Sequence, residues 1–474
     1  MLAMLLIGLA SLAQISGCAT PTVFTPYTKR ITPLVEDLKT GRQIDLSQCL
    51  LQESQGKDAI LYAMERGRLA QIRGEIEQSI RNFGDSMEAI SLNDEKAIIS
   101  ASQVGNQAQA IIVNDNVIAY EGERYERVML HHFQALNYLA KRDLEGARVE
   151  IRRANEEQEE SLKRHERDLN MLRNDVAERE IEFNEGYAEI DARFPLMNEE
   201  DGKVMNSFQN AYSYYLSGFV YELQNKPDEA YIDYRRALEI YPDNVFLRQD
   251  VARLAAVVEY GRDLLESRRY SRSKRTAADK ASESAHVGEL LVLFEEGFVP
   301  RKEEVKIPFP VAKGGVAAVA FPVYREKRAS PLPLTIAMDS KVIAVTEPIC
   351  DVRALAVNAL KEKVPAMVVR QTVRLGAKGT VTKMAGKKYG GWTSLGMSIW
   401  NVFSERADLR SWQTLPANAQ LLRVTLPAGI HRLSLKHDAA DAVVEIDVGI
   451  KGNGKTILHV VRAGQRFYCR EMRF

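Results

Sequence analysis

Small and aromatic residues recur in the N-terminal half of the chain at spacings that fit two closely packed antiparallel helices. The clearest stretch covers residues 211–242. Gly218 and Ala230 are small enough to let the helices approach, and Pro242 ends the second helix because proline cannot continue it. The positions of the pattern are Tyr214, Ser217, Gly218, Tyr221, Ala230, Tyr234, Ala237 and Pro242. Residues 225–228 supply the turn between the two helices.

This pattern resembles the tetratricopeptide repeat, a helix–turn–helix unit of about 34 residues. Two earlier stretches match it in part. The first has Gly67, Gly74 and Phe83, with Ser79 and Ser86 where alanines usually occur. The second has Ala135, Tyr138, Ala147 and Ala154 in the same register. About three units are needed for a stable stack, so we expect α-helical repeats over residues 18–267.

The resemblance also implies a binding face. In tetratricopeptide stacks the first helix of each unit lines a concave groove, and several of its positions face the ligand. Aromatic side chains at i, i+3 and i+7 form one stripe there, and tyrosine combines a large contact area with a polar tip. The implied residues are Tyr212, Tyr215, Phe219 and Glu222 in the last unit and Met129, His132 and Leu136 in the middle unit. The alternative is that neighbouring helices or the C-terminal half cover this stripe.

A long charged stretch, residues 155–185, lies between the middle and last units. One side of it is apolar at Leu162, Leu169, Leu172, Val176 and Phe183. This pattern predicts an extended helix. Its thin apolar stripe fits either a solvated extension of a repeat helix or a coiled-coil contact with a partner or another copy.

The pattern changes near residue 285. A polar, basic linker over residues 268–285 precedes runs rich in Val and Ile that prolines bracket, as expected at strand ends. Residues 351–406 favour helix again. We therefore predict an α+β multidomain chain. It has N-terminal tetratricopeptide-like repeats and, over residues 286–474, a β-rich, sandwich-like domain with a helical insertion.

The first residues form a short apolar run that ends at Ile15-Ser16-Gly17-Cys18. The run is too short to span a bilayer, which needs about 20 apolar residues. These four residues resemble the lipobox of bacterial lipoproteins. The resemblance implies that residues 1–17 are a signal peptide and that Cys18 carries acyl chains such as palmitate. Ala19 follows, where an aspartate tends to retain such lipoproteins in the inner membrane, so the expected location is the outer membrane, facing the periplasm.

Charge and cysteine content exclude some classes of protein. Lys plus Arg and Asp plus Glu both number 64, so the net charge is zero, which argues against a general nucleic-acid binder. The four cysteines, Cys18, Cys49, Cys350 and Cys469, show no metal-binding spacing, and no cofactor is expected. A Cys350–Cys469 disulfide and separate buried thiols both remain open.

One motif fits the phosphate-loop pattern GxxxxGK[ST] at residues 449–456. A phosphate loop must open a helix whose N-terminus receives the phosphates. The residues after Thr456 favour a strand instead, and too few remain for a nucleotide-binding sheet. Asn453-Gly454 between two apolar runs is typical of a β-hairpin turn, so we predict a hairpin and no nucleotide.

No arrangement typical of a nucleophile with its base, or of a metalloprotease, occurs in the sequence. Anchor and repeats together predict a non-enzymatic scaffold or adaptor that binds protein partners through the groove, in envelope assembly, secretion or cell-wall synthesis. Residues 406–416, together with the proline-bounded strands, resemble the C-terminal part of a poorly characterised group of bacterial repeat-containing lipoproteins. The resemblance covers most of the chain and implies no activity.

Two alternatives to the scaffold remain. One is an enzyme acting on glycans or peptidoglycan, in which Asp351, Asp408 or Asp441 would meet a second carboxylate. The other is a structural subunit of a homo-oligomeric envelope complex that uses edge strands of the C-terminal half.

Overall fold

The computed structural model describes residues 27–43, 50, 56–102, 119–178, 206–258, 286–311, 315–325, 330–367, 406–441 and 443–474. The predicted signal peptide 1–17, Cys18, Cys49 and the linker 268–285 lie outside these described residues. So do residues 179–185 of the predicted long helix and residues 368–405 of the predicted insertion.

Helices fill the N-terminal part. They are α1 (Tyr27–Thr40), α2 (Ala59–Arg73), α3 (Ile76–Ser102), α4 (Arg124–Ala140), α5 (Leu144–Glu178), α6 (Ala211–Leu223), α7 (Pro227–Ile240) and α8 (Val245–Ala255). Helices α2 and α3, α4 and α5, and α6 and α7 pack as three pairs. A further helix, α9, covers residues 352–367 within the predicted insertion.

The first and the last helix pairs share one packing rule. A small residue on the first helix faces a large one sixteen positions later on the second. A Cβ added at Gly67 would lie 2.3 Å from the ring of Phe83, and one added at Gly218 would lie 2.7 Å from the ring of Tyr234. Because the ring occupies the place of a side chain, glycine is required at both positions. The sequence-based assignment of Gly218 as a close-approach position is confirmed.

Local signals set the helix ends. Gly74 ends α2 in the left-handed region, with φ of +91°, which glycine adopts without strain. Asn210 begins α6, and its side-chain oxygen accepts the N–H groups of Tyr212 and Ser213. Pro227 stands at the start of α7, where a missing N–H costs nothing. These signals fix the end of α2 and the starts of α6 and α7.

Helix α5 has 35 residues and packs against both α4 and α6. Its first half is tied to the last unit, because Asn155 donates to Ser217 and Asp233, each at 3.2 Å. Leu162 of the apolar stripe is exposed. The structure therefore has a long helix through Glu178, and the coiled-coil contact stays a prediction.

The C-terminal part has two main sheets. The strands are β1 (Val287–Glu296), β2 (Glu303–Val311), β3 (Gly315–Val323), β4 (Leu334–Met338), β5 (Lys341–Val345), β6 (Glu347–Cys350), β7 (Asn418–Pro427), β8 (Gly429–His437), β9 (Val444–Ile450), β10 (Lys455–Ala463) and β11 (Arg466–Arg473). The inner sheet has the order β11-β10-β1-β7-β6, and the outer sheet has the order β5-β4-β8-β9. Strands β2 and β3 form a separate hairpin.

Strand β1 shows how the layers stack. Leu290, Val292 and Phe294 point to the outer sheet and share a core with its residues. Leu291 and Leu293 point the other way and join the core of the helices. Both faces of the inner sheet are therefore buried, and the molecule has three layers: helical repeats, inner sheet and outer sheet. The predicted fold class, with a sandwich-like C-terminal domain, is confirmed.

The hairpin predicted around Asn453-Gly454 is wrong. Strand β9 pairs with β8 in the outer sheet, whereas β10 pairs in parallel with β1 in the inner sheet. The turn therefore crosses from one sheet to the other, and Asn453 takes a φ of 54° within it. Burial explains the crossing: the apolar residues of β10 gain contacts on both faces only in the inner sheet. A strand follows the glycine-rich loop, so its geometry is not that of a phosphate loop.

Cys350 and Cys469 are both free thiols. They lie on β6 and β11, the two opposite edges of the five-stranded inner sheet. Neighbouring strands are about 4.8 Å apart, so four steps put these edges about 19 Å apart. A disulfide needs Cα atoms within about 7 Å, so the two cysteines cannot form one in this fold.

Candidate partner-binding face of the repeats

The predicted stripe on α6 lies on one face, and that face points inward. Tyr212, Tyr215 and Phe219 are each 0% exposed. Glu222, one turn further, has a side chain that is 6% exposed. Each tyrosine hydroxyl is satisfied inside: Tyr212 donates to Glu295 at 3.1 Å and Tyr215 donates to Asp250 at 2.8 Å. These residues are therefore part of the core of the molecule.

The middle unit adds a second buried set on α4. Met129, His132 and Leu136 are all buried. The ring of His132 lies against that of Tyr212, with centroids 4.2 Å apart, so the two sets adjoin. The contact between His132 and Tyr212 therefore joins the two predicted sets of residues along the first helices of two units.

The inner sheet covers this surface. Alternate residues of its three central strands point toward the repeats, among them Leu291 and Leu293 of β1, Leu421 of β7 and Ile457 of β10. In this structure the C-terminal half therefore covers the stripe, as in the alternative to an open groove. Partner binding by the seven residues stays a prediction, with a condition attached: a partner can reach them only if the inner sheet moves away.

A cluster of opposite charges joins the sheet to the last unit. The carboxylate of Glu222 contacts Arg423 of β7 at 2.8 Å, Lys455 of β10 at 3.1 Å and Arg253 of α8 at 2.7 Å. Burial alone would raise the pKa of Glu222, but the three cations outweigh it and hold the pKa well below its usual range. Glu222 is therefore ionised and fully paired.

Two further carboxylates complete this cluster. Asp250 of α8 contacts Arg423 at 3.0 Å and Arg253 at 2.8 Å. Glu289 of β1 contacts Lys455 at 2.7 Å and also pairs with Arg423. Three cations thus face three carboxylates, and the charges balance. Lys455, the lysine of the apparent phosphate loop, is engaged here.

A second charged group lies at the centre of the interface. Glu295 of β1 pairs with Arg68 of α2 and lies 2.9 Å from Nε2 of His459. Burial would raise the pKa of Glu295, but Arg68 and His459 outweigh it and lower the pKa to about 2. Arg68 also lies over the ring of Phe133, 3.9 Å from its centroid. The first repeat unit is thereby fixed to the sheet.

His132 has a different environment. Neither ring nitrogen has a hydrogen-bond partner within the described part of the chain, and the side chain is fully buried. Burial lowers its pKa to about 3. The ring is therefore neutral at neutral pH and acts as a packing residue against Tyr212.

The third connection is a short segment that we call the strap, residues 411–414. The backbone N–H of Trp412 donates to Glu126 of α4 at 2.8 Å, and that of Gln413 donates to Glu65 of α2 at 2.6 Å. The ring of Trp412 packs against Phe83 and Phe133, with centroids 5.9 and 5.8 Å away. The strap thus lies between the first two units.

Sequence reasoning missed the contribution of the first unit, although a signal was present. Phe219 and Glu222 stand one and four positions after Gly218. The same positions after Gly67 are Arg68 and Gln71. Both are buried, and Arg68 donates to Gln71 at 2.5 Å. No local pattern points to Glu65 or the strap, because their contacts join residues about 350 positions apart.

Two of the three carboxylates considered for catalysis, Asp351 and Asp408, have other partners. Asp351 accepts the N–H of Ala354 at 2.9 Å at the start of α9. Asp408 binds the guanidinium of Arg410 at 2.7 Å. Asp441 lies on an exposed turn. Within the part of the chain that is described, no group of His, Cys, Asp and Glu side chains could hold a metal ion.

One of the repeat units that contact the inner sheet matches a known repeat family. Residues 211–244 match the tetratricopeptide repeat. This is the unit formed by α6 and α7, so the chain has tetratricopeptide-like repeats, which are protein-binding modules and support a protein-interaction scaffold. No curated protein matches the sequence. Among the described helices, none is long and apolar enough to cross a membrane.

Two solved structures align with about half of the chain. A crystal structure of MamA protein is 14% identical and covers 47% of this chain and 98% of its own, with a TM-score of 0.17. A tetratricopeptide repeat protein from Parabacteroides merdae is 11% identical and covers 48% of this chain and 98% of its own, with a TM-score of 0.13. TM-scores this low do not establish a shared arrangement of the repeats.

Proposed function

We propose that this protein is a non-enzymatic scaffold lipoprotein of the outer membrane. Acyl chains on Cys18 would hold it on the periplasmic face, where it recruits protein partners for envelope assembly, secretion or cell-wall synthesis. The lipobox-like residues 15–18 and the tetratricopeptide match at residues 211–244 support this proposal. Binding by shape needs no nucleotide, which suits a compartment without ATP.

The observation that carries the scaffold proposal is how the repeats hold the C-terminal region. The first helix of each unit contacts the C-terminal region through at least one buried polar contact. Helix α2 binds the strap and β1, α4 binds the strap, and α6 binds β1, β7 and β10. The face is thus equipped to bind polypeptide, and its resident occupant is the chain's own sheet.

The scaffold proposal is tested by co-purification of tagged protein from detergent-solubilised membranes. Alanine at Tyr212, Tyr215 or Phe219 would damage the core, so the junction that covers the groove is better changed with Arg423→Glu. The matched control is Arg432→Glu, because Arg432 on β8 is 68% exposed and pairs with Asp447 at 2.9 Å. Partners that bind at the junction between the repeats and the inner sheet are recovered in changed amounts with Arg423→Glu, and partners that use outer surfaces are recovered equally. Absence of any stoichiometric partner contradicts the scaffold.

The anchor has its own test. Mass spectrometry of the N-terminal peptide should find an acylated Cys18 as the first residue. A retained Met1 or an unmodified Cys18 would contradict the lipoprotein assignment. Light scattering of the detergent-solubilised protein then measures the number of chains per particle. A particle that contains several chains would support the homo-oligomeric alternative instead.

A further inference from the structure

An open cavity of about 590 Å³ lies where the start of α1 meets the start of β2. Charged or hydroxyl side chains occur on both sides of the cavity. The lining residues are Thr28, Lys29, Thr32 and Pro33 from α1, and Arg301, Lys302, Glu303, Glu304 and Leu409 from the C-terminal region.

Some charges in this cavity are already satisfied. Lys302 is buried and donates to the carbonyl of Arg410 at 3.1 Å. Glu304 accepts the backbone N–H of Ala407 at 2.9 Å. Glu303 lies 3.5 Å from the guanidinium of Arg325. The charges of these three side chains are thus occupied by contacts within the protein and are less available to a ligand.

Lys29 and Arg301 differ from their neighbours. Both are exposed, one on each side of the cavity. Among the described residues neither has a hydrogen-bond or ion-pair partner. Two unpaired cations at the rim of the cavity favour an anion, and a phosphate group suits them because lysine and arginine both bind phosphate oxygens.

The position of the cavity in the chain favours one source of that phosphate. Tyr27, the first residue of α1, follows Cys18 by nine positions. Nine extended residues reach at most about 30 Å. An acylated Cys18 would therefore keep this cavity close to the bilayer surface, where tethering gives lipid headgroups a high effective concentration. Basic residues are attracted to anionic membranes within about a Debye length of 10 Å.

We propose that the cavity between α1 and β2 is a contact site for anionic phospholipid headgroups, with Lys29 and Arg301 holding the phosphate. The site would be a second membrane contact beside the acyl anchor, and it would set which face of the scaffold is turned to the membrane. This inference rests on the proposed acylation of Cys18.

The test measures how fast an amine-reactive reagent modifies Lys29. The full acylated protein is reconstituted in neutral phosphatidylcholine vesicles or in vesicles that also contain phosphatidylglycerol, and peptides are analysed by mass spectrometry. We expect Lys29 to react about fivefold more slowly in the anionic vesicles. Lys436, exposed on β8 of the outer sheet, is the matched control and should react equally in both. Arg301→Glu should remove the protection of Lys29, whereas Arg432→Glu should not.

Several outcomes would overturn the lipid site. One is equal modification of Lys29 in both kinds of vesicle. Another is protection that rises with protein concentration, which would assign the surface to a second copy. Protection by inorganic phosphate in detergent, without vesicles, would assign it to a soluble anion. Flotation with neutral vesicles reports the acyl anchor separately, so loss of flotation contradicts the proposed anchor and not the cavity.

Discussion

At the scale of single residues, Glu65 links three separate parts of the chain. Its carboxylate accepts the N–H of Gln413 at 2.6 Å and the hydroxyl of Thr414 at 2.6 Å, both in the strap. The hydroxyl of Tyr27 on α1 donates to it as well. Burial raises the pKa of Glu65 to about 7, because four hydrogen bonds only partly compensate for the lost solvation. Among the described residues no cation pairs with Glu65, and this buried carboxylate is the joint between α1, α2 and the strap.

This joint predicts a pH dependence of stability. The folded pKa of about 7 lies above the unfolded value near 4.5, so the folded state binds more protons between these two values. The contribution of Glu65 is therefore fully present below about pH 4.5 and is lost as the pH rises through about 7, by on the order of 3 kcal/mol. Glu65→Gln should flatten the dependence of the urea-unfolding free energy between about pH 5 and about pH 8.

The matched control for Glu65 is Glu445→Gln, at an exposed position of β9. It should leave the pH dependence of the unfolding free energy as in the unmodified protein. If Glu65→Gln and Glu445→Gln give the same pH dependence, the assignment of a titrating joint at Glu65 is wrong.

Residue-level prediction from sequence succeeded where contacts are local. Gly218 and Tyr234 are sixteen positions apart on two consecutive helices, so their spacing alone reveals that they touch. Glu65 and Gln413 touch only because the whole inner sheet docks on the repeats. No spacing rule covers such a pair, and the role of the strap could not be predicted.

At the scale of elements, the junction between the inner sheet and the last repeat depends on Arg423 of β7. Its guanidinium reaches carboxylates on three elements: Glu222 of α6, Asp250 of α8 and Glu289 of β1. Its carbon lies 5.3 Å from the ring centroid of Phe219. The side chain is only 8% exposed, so each lost ion pair would leave a carboxylate desolvated.

Removal of this guanidinium should be costly. Arg423→Met leaves buried carboxylates short of one cation, and we expect a loss of about 3–5 kcal/mol in the free energy of unfolding. Arg432 lies on β8, the next strand along the chain. Arg432→Met removes an exposed ion pair and should lower the free energy of unfolding by about 1 kcal/mol or less. Urea unfolding of both variants measures the difference. Equal losses would contradict a buried, interface-forming role for Arg423.

The strand pattern predicted the elements better than their partners. Alternation of apolar residues predicts strands over residues 421–426 and 443–448. The first lies within β7, and the second overlaps β9 except at residue 443. It could not reveal that β10 pairs in parallel with β1, because the two strands are separated by most of the C-terminal region. Asn453-Gly454 indicated a turn correctly. The local sequence did not determine which sheets the turn connects.

At the scale of the whole molecule, the two halves share one hydrophobic core. Buried residues of the helices, such as Leu61 and Tyr215, belong to the same cluster as Leu291, Trp412 and Ile457 of the C-terminal region. A second cluster joins only the two sheets. The composition change near residue 285 therefore marks a change of secondary structure, and the described helices and inner sheet pack as one body.

A shared core predicts one cooperative unfolding transition for repeats and sheets. Far-ultraviolet circular dichroism follows the helices, and reaction of a thiol reagent with Cys350, buried on β6, follows the inner sheet. The two urea midpoints should coincide, because neither half can keep its apolar face covered without the other. Arg423→Met should lower both midpoints together, and Arg432→Met should lower neither appreciably. Exposure of Cys350 at a lower urea concentration than the loss of helix would mean that the sheet detaches first, with the repeats stable alone and their groove open to a partner.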